Sequence, residues 1–154
     1  MLPLIEEHRN LARLEGRWEG TGEVLPNPWG PSGPTQGEWQ FRRDLAGYNL
    51  IHDYQERRSG GHVFQGHGVM TVDPATEETL WFWFDSVGYP PLAPSRGKWS
   101  GQELQLRKAT PRGVGVSTFT VKDDVLTYVV QAQVKGENEL SLVMRGVFRR
   151  SVAA

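Results

Sequence analysis

Few side chains in this sequence can do chemistry, and the most telling is Asp85, which closes the run Leu80-Trp81-Phe82-Trp83-Phe84-Asp85. A carboxylate at the end of an aromatic run stands in water at a rim or finds a buried partner, because an unpaired charge in apolar surroundings is costly. His67 and Arg96 have the charge to partner it, and Tyr54 adds a hydroxyl. The spacing suggests a polar patch of Tyr54, His67, Trp83 and Asp85, with Arg96 beside it, inside an otherwise apolar cavity. A patch of this kind orients a ligand, or supplies an acid–base pair for an isomerase or hydrolase. A competing duty for Asp85 is local: its side chain caps the turn that follows it.

Other chemistries find little support. With no cysteine, disulfides, thiolate metal sites and a cysteine nucleophile are excluded. The histidines are His8, His52, His62 and His67. His62 and His67 stand about 17 Å apart on opposite faces of one strand, so they cannot share an ion. His52 with His67 lacks a third ligand, and no metal or cofactor is expected. Ser86 has no glycine-flanked elbow and no evident base. Gly66-x-Gly68 and Gly113-x-Gly115 precede no helix start and are strand glycines rather than phosphate loops.

The net charge of −1, from 17 Lys+Arg and 18 Asp+Glu, provides no field for nucleic acid. Arg42-Arg43, Arg57-Arg58 and Arg149-Arg150 are isolated doublets that read as solvated strand edges. No apolar run reaches the roughly 20 residues of a membrane helix. Charges at Glu6, Glu7, Arg9, Arg13 and Glu15 rule out the apolar centre of a signal peptide. The expected setting is cytoplasmic, away from membranes.

The elements that position these residues are mostly strands. Leu4, Ile5, His8, Leu11, Ala12 and Glu15 follow Pro3 at helical spacing, and Gly16 stands where a helix ends, which predicts one short helix over 3–14. Ten strands follow: Arg17–Val24, Gly37–Leu45, Tyr48–Arg57, Val63–Val72, Thr79–Asp85, Ser95–Ser100, Glu103–Lys108, Val114–Val121, Val125–Lys135 and Glu139–Arg150. Short turns such as Ala46-Gly47, Ser59-Gly60-Gly61 and Asp123-Asp124 join them, which implies a meander. The fold expected is all-β: a single domain over 1–154, a closed antiparallel up-and-down β-barrel of about ten strands with one short N-terminal helix. The proline-rich loops Leu25–Gln36 and Gly88–Pro94 resist pairing and suit a lid beside the barrel.

Two ambiguities follow from period-two patterning. With a three-residue turn at Ser59-Gly60-Gly61, Arg58 opposes His62 and Asp53 opposes His67; a two-residue turn would set His52 or Tyr54 against His67. The apolar pattern of Leu50 and Tyr54 against Phe64 and Met70 favours the first. In the aromatic run, Leu80, Phe82 and Phe84 share one face, and Trp81, Trp83 and Asp85 the other. Both faces are aromatic, so the outer one calls for a cover: the helix, a proline-rich loop, or a second copy in a homodimer.

The strongest local signal is Gly16-Arg17-Trp18-Glu19-Gly20-Thr21-Gly22. Trp18 is placed to plug the barrel base, with Gly20 and Gly22 letting the strand bend. An arginine of the closing Arg145-Gly146-Val147-Phe148-Arg149-Arg150 would stack on it, with Arg149 assigned that structural role beside Gly16 and Trp18. Gly16-x-Trp18 after a short helix, with a terminal-strand arginine, resembles the calycin group of lipocalins, fatty-acid-binding proteins and relatives. More narrowly the chain resembles a bacterial lipocalin-like family classed as a domain of unknown function. That resemblance rests also on Leu45-Ala46-Gly47, Gly66-His67-Gly68-Val69 with Asp73, Trp83-Phe84-Asp85-Ser86-Val87-Gly88 and Gly97-Lys98-Trp99. It implies a barrel with an internal cavity and no established activity. Nitrobindin-like barrels, also similar, hold haem through a late histidine; here no histidine follows residue 67, so haem is not expected. Three functions remain open: binding of a small apolar or amphipathic ligand, an enzyme built on the cavity patch, or an interaction module with a filled barrel.

Overall fold

The helical start is shorter than its apolar spacing suggests. The computed structural model describes residues 1–134 and 136–151; Lys135, the end of the ninth expected strand, and residues 152–154 lie outside the described residues. Ile5 is extended and caps helix α1, Glu6–Asn10, with its own N–H donated to His8 Nδ1 at 3.0 Å. The chain then tightens into a 3-10 turn, Leu11–Leu14, whose Leu11 and Leu14 are buried. Gly16 takes φ +121°, and the Arg150 side chain fills the space a Cβ would need. No helix among the described residues is long and apolar enough to cross a membrane.

Among the described residues eleven strands follow: β1 Gly16–Val24, β2 Gly33–Asp44, β3 Asn49–Arg57, β4 Val63–Asp73, β5 Glu78–Asp85, β6 Ser95–Gly97, β7 Trp99–Ser100, β8 Glu103–Thr110, β9 Gly113–Lys122, β10 Val125–Gln133 and β11 Leu140–Arg150. From β1 to β6, and again from β7 to β11, each strand pairs antiparallel with its chain neighbours along a meander. β1 also pairs with β11, and β6 closes the sheet on β8. The result is a closed barrel of ten strands, with the two-residue β7 as an extra rung on β8. Two differences from the sequence reading bear on closure and on the first loop. Ser95–Ser100 divides at Lys98 into β6 and β7. Gly33–Gln36 joins β2, so the first proline-rich loop ends at Ser32. Pro34 is tolerated there because it pairs with Glu23 of β1, and β3 reaches only to Gln36 on the other side.

Close backbone approach explains the seams. At Gly20 a Cβ would lie 1.9 Å from the Val147 carbonyl oxygen, so this glycine serves contact between β1 and β11 rather than a bend alone. At Gly97 a Cβ would lie 1.7 Å from the Gln105 oxygen, so only glycine lets β6 reach β8 and close the barrel.

The base of the barrel is plugged as expected, by a different arginine. Trp18 is fully buried and donates Nε1–H to the Leu14 carbonyl at 2.8 Å. Alternation along β11 puts Phe148 and Arg150 on the inner face and Arg149 outside. The Arg150 guanidinium therefore lies 4.1 Å from the Trp18 ring centre, and donates to Asp124 at 2.9 Å, to the Arg13 carbonyl at 3.2 Å and to the Glu15 carbonyl. It satisfies carbonyls left over at the end of the helical turn while capping the plug. Arg150→Ala should lower unfolding stability by about 1–3 kcal/mol in urea denaturation, and Arg149→Ala should stay within about 0.5 kcal/mol.

Candidate functional site

Along β3, β5, β8, β9, β10 and β11 the inward residues divide into a filled half and a hollow half. Leu50, Met70, Leu104, Leu106, Leu126 and Phe148 are buried in one core cluster with Trp18 and Phe41. Trp39 forms the floor above them. Its ring centre lies 4.2 Å from Tyr54, 5.0 Å from Tyr128, 5.6 Å from Phe119 and 5.7 Å from Trp83. Tilted and edge-on aromatic pairs of this kind contribute about 0.5–1.5 kcal/mol each beyond burial. Above the floor the same strands present Tyr54, Glu56, Trp83, Lys108, Ser117 and Val130 to a cavity of about 760 Å³. Its open end is bordered by Pro28 and Trp29 of the first proline-rich loop and by Tyr89, Pro90 and Leu92 of the second.

The glycines of β4 make the aromatic wall possible. A Cβ at Gly66 would sit 2.0 Å from the Trp83 ring, and one at Gly68 would sit 2.3 Å from His52 Nε2 and 2.8 Å from Trp81 Nε1. The rings therefore lie flat over bare backbone. Trp81 donates Nε1–H to His52 Nε2 at 2.8 Å, which makes that nitrogen an acceptor and keeps the imidazole neutral. Burial pushes His52 down to about 3.

Two carboxylates serve this cavity, each already occupied. Glu56 is fully buried; it accepts from Tyr54 Oη–H at 2.6 Å and from Arg58 Nε–H at 2.5 Å. Arg58 is nearly as buried, and its guanidinium lies 4.4 Å from the Phe64 ring centre and against Gly30 of the first loop. Burial pushes the Tyr54 phenol up, and the neighbouring Glu56 adds to that; burial does the same to Tyr128. Asp85 divides its oxygens: Oδ2 accepts from Trp83 Nε1–H at 2.9 Å, and Oδ1 accepts the Val87 backbone N–H at 3.0 Å. It thus both joins the cavity wall and caps the following turn.

The structure sorts the residues singled out from the sequence. Tyr54, Trp83 and Asp85 border the cavity. His67 does not. It opposes Asp53, as the favoured register requires, and both point outward, with Nδ1 at 2.7 Å from the Asp53 carboxylate. Its ring opens on an outer groove shared with Glu38, Gln65 and Phe84. Arg96 also faces outward, 3.5 Å from Glu78 and 3.9 Å from Asp73. An Asp85–His67 acid–base pair is therefore not formed: His67 is engaged by Asp53, and the two Asp85 oxygens are taken by Trp83 and the Val87 amide. Sequence reasoning missed Glu56, Arg58 and Lys108. The strand alternation Leu50, His52, Tyr54, Glu56 marks Glu56 as inward, and Leu104, Leu106, Lys108 marks Lys108. The reading of Arg57-Arg58 as a solvated doublet fails for Arg58, which the buried Glu56 draws inside.

The outer apolar strip is present as the alternation requires. Phe82 and Phe84 point outward and remain exposed, so neither the helix nor a proline-rich loop buries them.

A closed ten-strand barrel with a plugged base, an aromatic floor and a hollow upper half defines a lipocalin-like barrel domain. The chain belongs to the family described as "Protein of unknown function (DUF1579)", whose profile matches residues 4–150. No curated protein matches it. Among solved structures it is similar to Rv2717c from M. tuberculosis, with TM-score 0.74 and 17% identity over 97% of this chain and 100% of the other. It is also similar to the S-type phycobiliprotein lyase CPES from Guillardia theta, with TM-score 0.69 and 10% identity over 99% and 100%. A third likeness is to EF1p2_mFAP2b bound to DFHBI, with TM-score 0.51 and 16% identity over 95% and 100%. At these identities the likeness is one of fold.

The buried imidazole gives the protein a defined acid sensitivity. Between the ordinary value of 6.5 and the folded value of about 3, the unfolded chain takes up a proton that folded His52 refuses. Stability from this group is complete above about pH 6.5 and is lost as pH falls, by up to about 1.4 kcal/mol per pH unit. His52→Gln keeps an acceptor for Trp81 and removes this slope. Urea midpoints at about pH 4 and about pH 7 should differ less in the variant than in the wild type.

Proposed function

We propose that this chain is a binding protein that takes a small apolar or amphipathic molecule into the upper half of its barrel. The observation that carries this reading is the division of the interior: packed rings and aliphatic side chains below Trp39, and a cavity of about 760 Å³ above it. That volume lies within the range of small-molecule sites, roughly 300–1,000 Å³. The wall has the composition such sites use, aromatic rings with a few fixed polar groups. Tyr89 and Leu92 at the mouth are more than half exposed, a cost in water that a ligand's apolar body would relieve. Of two proteins of similar fold, one is described as a phycobiliprotein lyase and the other as bound to DFHBI, which supports the reading by fold-level analogy.

The alternatives weigh less. An enzyme built on Asp85 and His67 loses its geometry, since His67 is outside. A solid interaction module conflicts with the cavity. The exposed Phe82 and Phe84 are where a homodimer would form; a monomeric mass by light scattering across a wide concentration range would exclude it.

The binding reading is tested with the neutral naphthalene dye prodan. Saturable, blue-shifted emission at one dye per chain is expected. Gly115 lines the cavity, and a Cβ there meets only the Gln131 oxygen at 3.9 Å. Gly115→Phe should therefore fill the cavity without breaking the strand, and weaken the dye at least about tenfold. No saturable shift, or an unchanged affinity in the variant, overturns the reading.

A further inference from the structure

The wall around the cavity is interrupted. β6 pairs with β5 only at Thr79, Leu80 and Trp81, and with β8 only at Arg107. Beyond that seam the inward residues Trp83 and Asp85 of β5 have no paired strand on the β8 side. The facing edge of β8 carries Lys108 and Thr110, which also border the cavity. The loop between β5 and β6 crosses this slot. It is held to the β8–β9 turn by Arg112, which donates to the Pro90 carbonyl at 2.7 Å and lies 5.0 Å from the Tyr89 ring centre.

The charges around the slot are unequally used. Glu56 is committed to Tyr54 and Arg58, and Asp85 to Trp83 and the Val87 amide. Lys108 is half-buried and has no ion-pair partner among the described residues. A second cation, Arg112, stands nearby and adds to the positive side of the rim. An ammonium held partly out of water without a counter-charge is costly, and an anion placed against it recovers that cost as a charge-assisted contact.

We propose that the cavity selects carboxylates with an apolar or aromatic body, and that Lys108 receives the carboxylate at the slot while the body lies against Trp83 and Tyr128. This rests on the binding reading above and names its ligand class. A neutral ligand leaves the ammonium unpaired, and a cationic one meets Lys108 and Arg112. Burial lowers the affinity of Lys108 for its proton; Asp85 opposes that, and Arg112 adds a smaller lowering. A bound carboxylate opposes the net lowering. The preference for an acid should therefore fade at alkaline pH, as Lys108 gives up its proton.

The test compares 1-pyrenebutyrate with its methyl ester by pyrene fluorescence. It uses the wild type, Lys108→Met and Lys108→Arg, each first shown to keep the wild-type urea midpoint. The acid is expected to bind the wild type at least about tenfold more tightly than the ester. Lys108→Met should abolish that preference while leaving the ester within about twofold, and Lys108→Arg should retain it. Equal binding of acid and ester by the wild type, or a preference that survives in Lys108→Met, overturns this proposal and leaves the binding reading standing. Failure of both probes to bind overturns both.

Discussion

Circumference is the constraint from which the rest of this molecule follows. Ten twisted strands closed into a ring enclose more space than their inward side chains fill without large residues. Here the large residues gather in one half. Trp18 seals the base, Trp39 lies across the middle, and Phe119, Tyr54 and Tyr128 pack around it. Closure itself depends on a three-residue strand, β6, whose Gly97 permits an approach no side chain would allow. The shortness of that strand has a second effect: the half of the barrel beyond it is left without complete walls. Hollow and slot are thus two results of one short seam.

Three polar side chains inside this barrel are handled by local commitment, whereas the buried Trp39 Nε1, Thr79 Oγ1 and His52 Nδ1 have no hydrogen-bond partner among the described residues. His52 accepts from Trp81 and remains neutral. Glu56 is enclosed by a phenol and a guanidinium. Asp85 divides its oxygens between an indole and a turn amide. Each arrangement limits the cost of burying a polar group by giving it a partner of the right kind. Lys108, with no ion-pair partner among the described residues, stands where the wall is interrupted beyond β6.

Much of the fold was legible because period-two alternation and turn residues are local signals. β3, β4 and β5 appear within a residue or so of the expected limits, and Asp53 faces His67 in the favoured register. That register already implied that His67 is outside, since Tyr54 faces inward and Asp53 beside it cannot. The expected patch combined both faces of the sheet: Trp83 and Asp85 share the inner face and a hydrogen bond, and His67 and Arg96 lie on the outer face. Arg58 and Lys108 were hidden for a different reason. Charged side chains default to solvent: that expectation outweighed the alternation marking Lys108 as inward, and Arg58, past the end of β3, is drawn in only by its ion pair with Glu56. The substitution of Arg150 for Arg149 on Trp18 is a one-residue question of parity, settled by the pairing of Trp18 with Arg150. The division at Lys98 carries no local signal; it reflects where the chain leaves the seam.

The absence of cysteine from the sequence gives direct access to the central claim, that the upper barrel is hollow and reachable in the folded state. A single thiol introduced by Ser117→Cys would stand on the cavity wall, and one introduced by Leu126→Cys would stand in the packed half. Reaction with a small uncharged thiol reagent in native buffer measures access to each. The cavity thiol should react much faster than the packed one, at a rate that mild urea does not change. Equal, slow rates that rise together with urea would mean that both positions open only by unfolding, and the hollow barrel described here would be contradicted.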